Sequence, residues 1–412
     1  MVPDQISKLD LIQARIDVIP SDWQLCKVAE ALNIRNNLRK PISQEVRETI
    51  KGDYPYYGPT KVQGYISEYE QDGTYALIGE DGDHFLKYAT MPQTQYISGK
   101  CTVNNHAHIL ESSEICDAQW FFNYFKHRDI TNFLSRQGAG RFKLNKATLE
   151  KLPMLVPPLP EQRKIAQILS TWDKAIATTE KLIETSKQQK KALMQQLLTG
   201  KKRLVNPETG KVFEGEWEKT HLKPLLLEEK SRNKDNRVTR VLSVTNHSGF
   251  VLPEEQFSKR IASDNISNYK VVKKGQFGYN PSRLNVGSFA CLKQFSEGVL
   301  SPMYVVFSTD DKKLQKEYLS YWMQSNEAKQ RVKNSTQGSV RESVGFDALC
   351  SFPFILPTLD EQNKIISVLT AADKEIEVME AKLAHFKQEK KALMQQLLTG
   401  KRRVKVDEDA AA

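Results

Sequence analysis

The dodecapeptide KKALMQQLLTGK occurs twice, at Lys190 to Lys201 and at Lys390 to Lys401, an offset of 200 residues (390 − 190). An identical run at one fixed interval marks an internal duplication, so each half must build the same kind of unit. The register extends without gaps. PPLPEQRKIAQILSTWDKAI (Pro157 to Ile176) lies over PTLDEQNKIISVLTAADKEI (Pro357 to Ile376), and SRQGAGR (Ser135 to Arg141) lies over STQGSVR (Ser335 to Arg341). Between the shared stretches similarity collapses, and Asp53 to Asp83 has no clear counterpart. A shared frame therefore carries two divergent inserts. At 412 residues the chain also exceeds what one ordinary core supports.

Each repeated segment reads as one long helix. Apolar residues fall at Ile165, Leu169, Trp172, Ile176, Ile183, Leu193 and Leu197 in the first copy. In the second they fall at Ile365, Leu369, Ile376, Met379, Leu383, Phe386, Leu393 and Leu397. Steps of three and four residues make the seam of a coiled coil. Pro157, Pro158 and Pro357 limit the N-terminal ends, Glu161 and Glu361 put negative charge in the first turn, and Gly200 and Gly400 suit the C-terminal caps. About 38 residues at ~1.5 Å each give a rod of ~57 Å. Lys190 and Lys390 sit on the seam, where two buried ammonium groups face to face would be costly; an antiparallel pairing of the rods keeps them apart. A generic helical hairpin or oligomerisation zipper is the plain alternative.

The expected organisation is an N-terminal segment 1–18, a first globular domain 19–156, a central repeat helix 157–200, a polar linker 201–211, a second globular domain 212–356, a C-terminal repeat helix 357–400 and a tail 401–412. The fold class is α/β (α+β): two globular domains alternate with two long helices that pair as an antiparallel coiled coil, with an internal pseudo-twofold repeat. Tyr75 to Glu80, Val271 to Asn280 and Val299 to Ser308 read as strands between turn signals. Trp120 to Leu134 and Lys312 to Val332 read as helices leading into the QG loops. Met1 to Val18 has no match in the second half.

Sixty Lys and Arg against fifty Asp and Glu leave a formal charge of +10, which suits a polyanionic partner. Five scattered cysteines form neither a CxxC pair nor a metal-ligand cluster with the seven histidines, so a reduced, cytoplasmic chain without structural zinc is expected. No apolar run approaches the ~20 residues that span a bilayer, and the N-terminus lacks a signal-peptide core. Motifs for catalysis are missing: no GxGxxG after a strand, no GxxxxGK[ST], no HExxH and no GxSxG. Gly79 to Asp83 gathers three carboxylates but lacks the alternation of a calcium loop, so it reads as a hairpin turn. Tyr279-Asn280-Pro281-Ser282 lacks the second proline and the aromatic residue of a methyltransferase motif and reads as a strand-end turn.

What remains is recognition chemistry. The repeated QG-x-x-R loops, Gln137 with Arg141 and Gln337 with Arg341, offer an amide and a guanidinium, the groups that meet base edges or phosphates. Because the motif recurs where specificity should differ, a backbone or framework role is favoured, with a capped turn as the alternative. Base-reading groups belong in the divergent inserts. Candidates are Tyr56, Tyr57, Lys61, Lys87, Asn104, Asn105 and His106 in the first, and Asn246, His247, Asn280, Ser282, Arg283 and Asn285 in the second. Ile165, Leu169, Trp172, Ile176, Leu193 and Leu197, with Ile365, Leu369, Ile376, Leu383, Leu393 and Leu397, are expected to serve the coiled coil and subunit docking.

With PEQ and DEQ opening the repeated helices, LMQQLLTGK closing them and dissimilar domains between, the whole chain resembles the specificity subunit of type I restriction-modification systems. PYYGPTKVQGYI (Pro55 to Ile66) and LIGEDG (Leu77 to Gly82) resemble stretches common in its recognition domains. The resemblance implies a non-catalytic DNA-binding subunit in which each variable domain reads one part of a split, asymmetric target and the paired helices set the gap. It implies two modification subunits docked on the helices, using S-adenosylmethionine to methylate adenine N6, and restriction subunits that add ATP- and Mg-dependent translocation and cleavage. A coiled-coil scaffold without a DNA role, or a self-contained DNA methyltransferase or nuclease, are the rival readings.

Overall fold

The computed structural model describes residues 6–137, 141–253, 265–336 and 343–406, without the side chains of 136, 137, 141 and 336. The chain divides into two compact units, one formed by Met1–Thr179 with Lys382–Ala412 and the other by Glu180–Ala381. The long helices, Leu159–Leu197 and Leu359–Leu397, each run for 39 residues, and each unit takes one half of both.

The first unit contains β1 (Gln24–Lys27), β2 (Asn33–Ile34), β3 (Lys51–Tyr57), β4 (Val62–Ile66), β5 (Gln71–Gly79), β6 (Thr94–Val103), β7 (Ala107–Glu111), β8 (Ser135–Gln137), β9 (Arg141–Lys143) and β10 (Pro153–Val156). A six-stranded sheet has the order β2-β7-β5-β6-β3-β4, antiparallel except where β3 runs parallel to β6. Side chains of a strand alternate between faces, and β5 uses both. Ala76 and Ile78 join the core with the helix Ala118–Phe125, while Tyr75 and Leu77 pack with Ile97, Val103 and Ile109 on the other side. Burial on both faces explains why β5 reads as a continuous apolar run.

The second unit contains β11 (Glu218–His221), β12 (Leu226–Glu228), β13 (Ser243–Thr245), β14 (Gly249–Val251), β15 (Lys270–Lys273), β16 (Phe277–Tyr279), β17 (Phe289–Cys291), β18 (Glu297–Leu300), β19 (Val305–Thr309) and β20 (Pro353–Leu356). Its largest sheet has the order β12-β19-β16-β17, and stacked Phe277 and Phe307, 5.1 Å apart, mark its centre. Each unit closes its base in the same way. β1 pairs antiparallel with β10 in the first, and β11 with β20 in the second.

The helices pair antiparallel within each unit, as the seam required. In the first, Asp173 meets Lys390, the Trp172 and Phe386 rings cross edge-on at 5.6 Å, and Glu161 meets Arg403. In the second, Lys187 meets Glu380 at 2.6 Å, Lys190 meets Asp373, and Arg203 meets Glu361. Both seam lysines thus have a carboxylate partner rather than each other. The seam residues Ile165, Leu169, Leu197, Ile365, Leu369, Ile376 and Leu397 are buried, and Trp172, Ile176, Leu193, Leu383 and Leu393 are half-buried. The buried set packs into the core of its own unit and is out of a partner's reach, so the docking part of its expected role is corrected for these residues. Gly200 and Gly400 end the helices with φ of 70° and 68°, the left-handed conformation a C-terminal cap requires.

Several expected elements end early. The helix expected over Lys312 to Val332 is two helices, Lys316–Gln324 and Asn326–Thr336, because Ser325 is extended (φ −67°, ψ 159°) and its hydroxyl caps Ala328. The helix expected over Trp120 to Leu134 stops at Phe125, and a separate turn follows at Thr131–Phe133, whose Thr131 amide and hydroxyl donate to Asp129. Val271 to Asn280 is two strands joined by a turn at Gly275 (φ 88°). Gly79 to Asp83 is no hairpin: β5 ends at Gly79, and the chain passes Gly82 (φ 133°) into a helical turn, Asp83–Lys87. Asn280 does cap a strand-end turn, accepting from the Ser282 amide.

The segments expected as N-terminal extension, linker and tail carry structure. Ala14 and Ile16 are buried in the first unit's core, and Arg128 donates to the Ala14 carbonyl at 2.8 Å. Residues after Gly200 fold back as a short hairpin closed by a Val205–Val212 bridge. Among the described residues, no helix is long and apolar enough to cross a membrane.

Candidate nucleic-acid interface

Two matching polar clamps hold each domain to its helices. Glu161, in the first turn of the central helix, has a side chain only 4% exposed and accepts from Arg403 Nε and Nη2, both at 2.8 Å, and from Trp23 Nε1 at 2.9 Å. Glu361, 1% exposed, accepts from Arg203 at 2.5 and 2.7 Å and from Trp217 Nε1 at 2.8 Å. Beside them Gln162 accepts from the Asp117 amide and donates to the Ile115 and Pro157 carbonyls, while Gln362 accepts from the Gln315 amide and donates to Lys313 and Pro357. The E-Q of each helix start is therefore a fully bonded buried pair, not just a charge placed on the helix dipole. These roles were missed in the sequence, although the 200-residue register of Glu161 with Glu361 and Arg203 with Arg403 was a usable signal.

In the second unit the structure gathers three of the six base-reading candidates. Asn246, His247 and Asn285 line one hollow of about 580 Å³, formed by the β13–β14 turn, the segment after the turn Pro281–Val286, and the helices Lys316–Gln324 and Asn326–Thr336. Ser320, Gln324, Lys293 and Lys329 also line it, and among the described residues no carboxylate does. These four come from segments distant in sequence, so no local pattern points to them. Amides, hydroxyls and ammonium groups on a concave, acid-free surface are the donor and acceptor set that meets base edges and phosphates. Ser282 and Arg283 are exposed on the neighbouring turn, whereas Asn280 is committed to capping it.

The first unit does not assemble its candidates in this way, and two are corrected. Tyr56 is 1% exposed; its hydroxyl accepts from the Ile42 amide and donates to the Lys40 carbonyl, so the ring is core. Asn104, 4% exposed, donates to Gln63 and accepts from the His106 amide, shaping the β6–β7 turn from inside. Tyr57 is half-buried. Lys61, at the β3–β4 turn, lines a second hollow with Arg47, Lys51 and Gln63. Lys87, Asn105 and His106 are exposed, and His106 Nδ1 lies 3.0 Å from Asp81.

Under His106 lies a buried network. His108 donates from Nε2 to the Leu144 carbonyl at 2.7 Å and accepts at Nδ1 from Asn36 at 2.8 Å, the tautomer those partners require. Burial pushes its pKa down. Burial alone would raise the neighbouring Glu80, but the hydrogen bond from Arg39, the charge of His108 and the hydrogen bond from Lys143 together hold it below the usual carboxylate value. Gln137 and Arg141 pair across β8 and β9, their side chains lying outside the described residues; Gln337 and Arg341 lie outside them altogether.

The model of the type I restriction modification DNA specificity domain matches residues 20–188 and 230–388. The type I restriction enzyme MjaVIII specificity subunit of Methanocaldococcus jannaschii is 26% identical over 408 residues, covering 94% of each chain. A putative type I restriction enzyme specificity subunit of Haemophilus influenzae is 36% identical over 140 residues, so this chain spans 34% of that relative's length. The crystal structure of the S subunit of a type I restriction-modification system from M. genitalium superposes with a TM-score of 0.58 at 10% identity, covering 93% of this chain and 97% of that one. A chain from a structural study of type I complex assembly and conformational transition gives 0.51 at 13% identity, covering 92% and 98%. At these identities the two structures speak for the fold alone.

Proposed function

Because the chain belongs to the family of type I restriction-modification DNA specificity subunits, the non-catalytic DNA-recognition component of such systems, we propose that its two domains each read one part of a split, asymmetric target. The acid-free hollow around Asn246, His247 and Asn285 is the second domain's reading surface. In the first domain the exposed Lys61, Lys87, Asn105 and His106 contribute, with the QG-x-x-R loops as framework.

Docking of two copies of one modification subunit rests on a single observation. Lys191, Gln195, Gln196 and Lys201 are exposed, and so are their identical counterparts Lys391, Gln395, Gln396 and Lys401. Buried positions are kept alike by packing, but exposed ones are free to drift; two unchanged exposed faces on one chain fit two identical partners. Those partners would bind S-adenosylmethionine and methylate adenine N6, and restriction subunits would add ATP- and Mg-dependent cleavage in the cytoplasm. Mapping methylated adenines in cells that express this chain with its modification subunit tests the reading. A bipartite, asymmetric motif is expected; a continuous motif, or none, refutes it.

A further inference from the structure

The duplicated helices share their closing segment, KKALMQQLLTGK, and in the first unit a cavity of about 660 Å³ lies over it. Matching the two glutamine clamps pairs Asp117 with Gln315, and hence Asn123 with Tyr321 and Lys126 with Gln324. Tyr321 lies against the helices in its unit: its hydroxyl donates to Asp373 at 2.8 Å and lies 3.1 Å from Thr370, and Lys190 sits over its ring. Asn123 is too short to do this, and its amide turns back to the Gln119 carbonyl. The space is lined by Ile176, Met394 and Leu398 below and by Tyr88, Tyr124 and His127 at the side.

Charge differs as much as shape. Arg15, Arg128, Lys390 and Lys391 line the cavity, and Lys126 lies beside Lys390. Lys387 lines it too, and the acids paired with this set are Asp129, which meets Arg15, and Asp173, which meets Lys390. Burial and the nearby Lys390 both depress the Lys126 pKa, the mark of an ammonium group short of counter-charge. In the second unit the corresponding helix surface carries Lys187 and Lys190 with Asp373, Glu377 and Glu380, and the counterpart of Glu377 is Ala177. In one copy Tyr321 takes up part of the space and acids outnumber lysines on the helix surface; the other copy is more open and lined by cations.

We propose that this cavity of the first unit binds a small organic anion in which a flat apolar body carries a phosphate, the chemistry of an aryl phosphate or a nucleoside monophosphate. The body lies on Ile176, Met394 and Leu398 beside the aromatic rings, and the phosphate meets Lys390 and Arg128. A volume of this size is within the roughly 300–1,000 Å³ of small-molecule sites.

Isothermal titration of the full chain with phenyl phosphate, AMP and inorganic phosphate tests this. Both organic anions are expected to bind, and inorganic phosphate about tenfold more weakly or not at all, since it forgoes the apolar floor. Whichever of the two binds more tightly identifies the better body. Asn123→Tyr, which installs the second unit's filler, is expected to abolish binding. Ala177→Glu, an exposed helix position that need not disturb folding, is expected to weaken it by about tenfold through the added carboxylate. Absence of heat with both organic anions, equal affinity for inorganic phosphate, or undiminished binding by Ala177→Glu would overturn the proposal, the last even if Asn123→Tyr fails to fold.

Discussion

Replacing Arg403 by alanine isolates the most consequential contact outside the expected domains. The guanidinium makes two 2.8 Å hydrogen bonds to Glu161, whose side chain is 4% exposed, and donates to the Ser21 carbonyl at 2.7 Å. Removing one partner of a buried pair costs about 3–5 kcal/mol because the other is left uncompensated. Arg403 itself is 37% exposed, so water enters the vacated place, and Trp23 still donates to Glu161; both lower the expected loss to about 2–3 kcal/mol. For a unit of this size that is a fall of roughly 4–12 °C in its thermal transition. The fitting control is Arg237→Ala, which breaks the exposed pair with Glu297 (61% and 29% exposed) and should leave the thermal transition almost unmoved, because water screens the pair. Denaturation followed by hydrogen exchange is the assay, with lost protection expected at β1, β10 and the start of the central helix. An Arg403→Ala protein within about 0.5 kcal/mol of the control, a difference that surface substitutions reach by themselves, would refute the clamp.

Deleting seven residues from each long helix, in register with the seam, shortens each by about 10 Å, or about three base pairs of B-DNA; adenine-methylation mapping should show a correspondingly shorter gap between unchanged half-sites, and an unaltered gap would count against the helices as spacer. His247→Ala and Asn246→Ala should relax or change the bases of one half-site only, and equal damage to both halves would remove this hollow from base reading. Lys293→Ala and Lys329→Ala should each lower the slope of log affinity against log salt by about one, measured by DNA titration of the assembled complex. Burial lowers the pKa of both His84 and His108. The folded state therefore binds fewer protons than the unfolded one, whose histidines titrate near ~6.5. Stability of the first unit should be full above that pH and fall as pH drops below it; His108→Gln should flatten part of that slope in urea titrations between about pH 5 and 7.5, and an unchanged slope would exclude His108.

Much of the frame was legible. The seam from Ile165 to Leu197, its copy from Ile365 to Leu397, the glycine caps and the antiparallel sense deduced from Lys190 and Lys390 all follow from helix periodicity and the cost of facing charges. The recognition surface was legible only in part. Tyr56 and Asn104 are polar residues in a loop-rich stretch, and nothing local reveals that the Ile42 amide and Gln63 await them. Ser325 breaks a helix that periodicity continues, because its extended backbone and capping hydroxyl outweigh the seam.

By itself the sequence determined the duplication, the long helices and their direction, since these depend on side chains three and four residues apart and on a register written into the chain. Only the tertiary structure decided which polar groups are spent inside the fold and which are left for a ligand. It turned Glu161 and Glu361 from helix-end charges into the centres of two clamps. It brought His247 and Lys329 to one surface across more than eighty residues (329 − 247 = 82). It also left the space of Tyr321 open at Asn123. Burial and hydrogen-bond satisfaction are set by neighbours distant in the chain, so these outcomes are properties of packing that no local pattern carries.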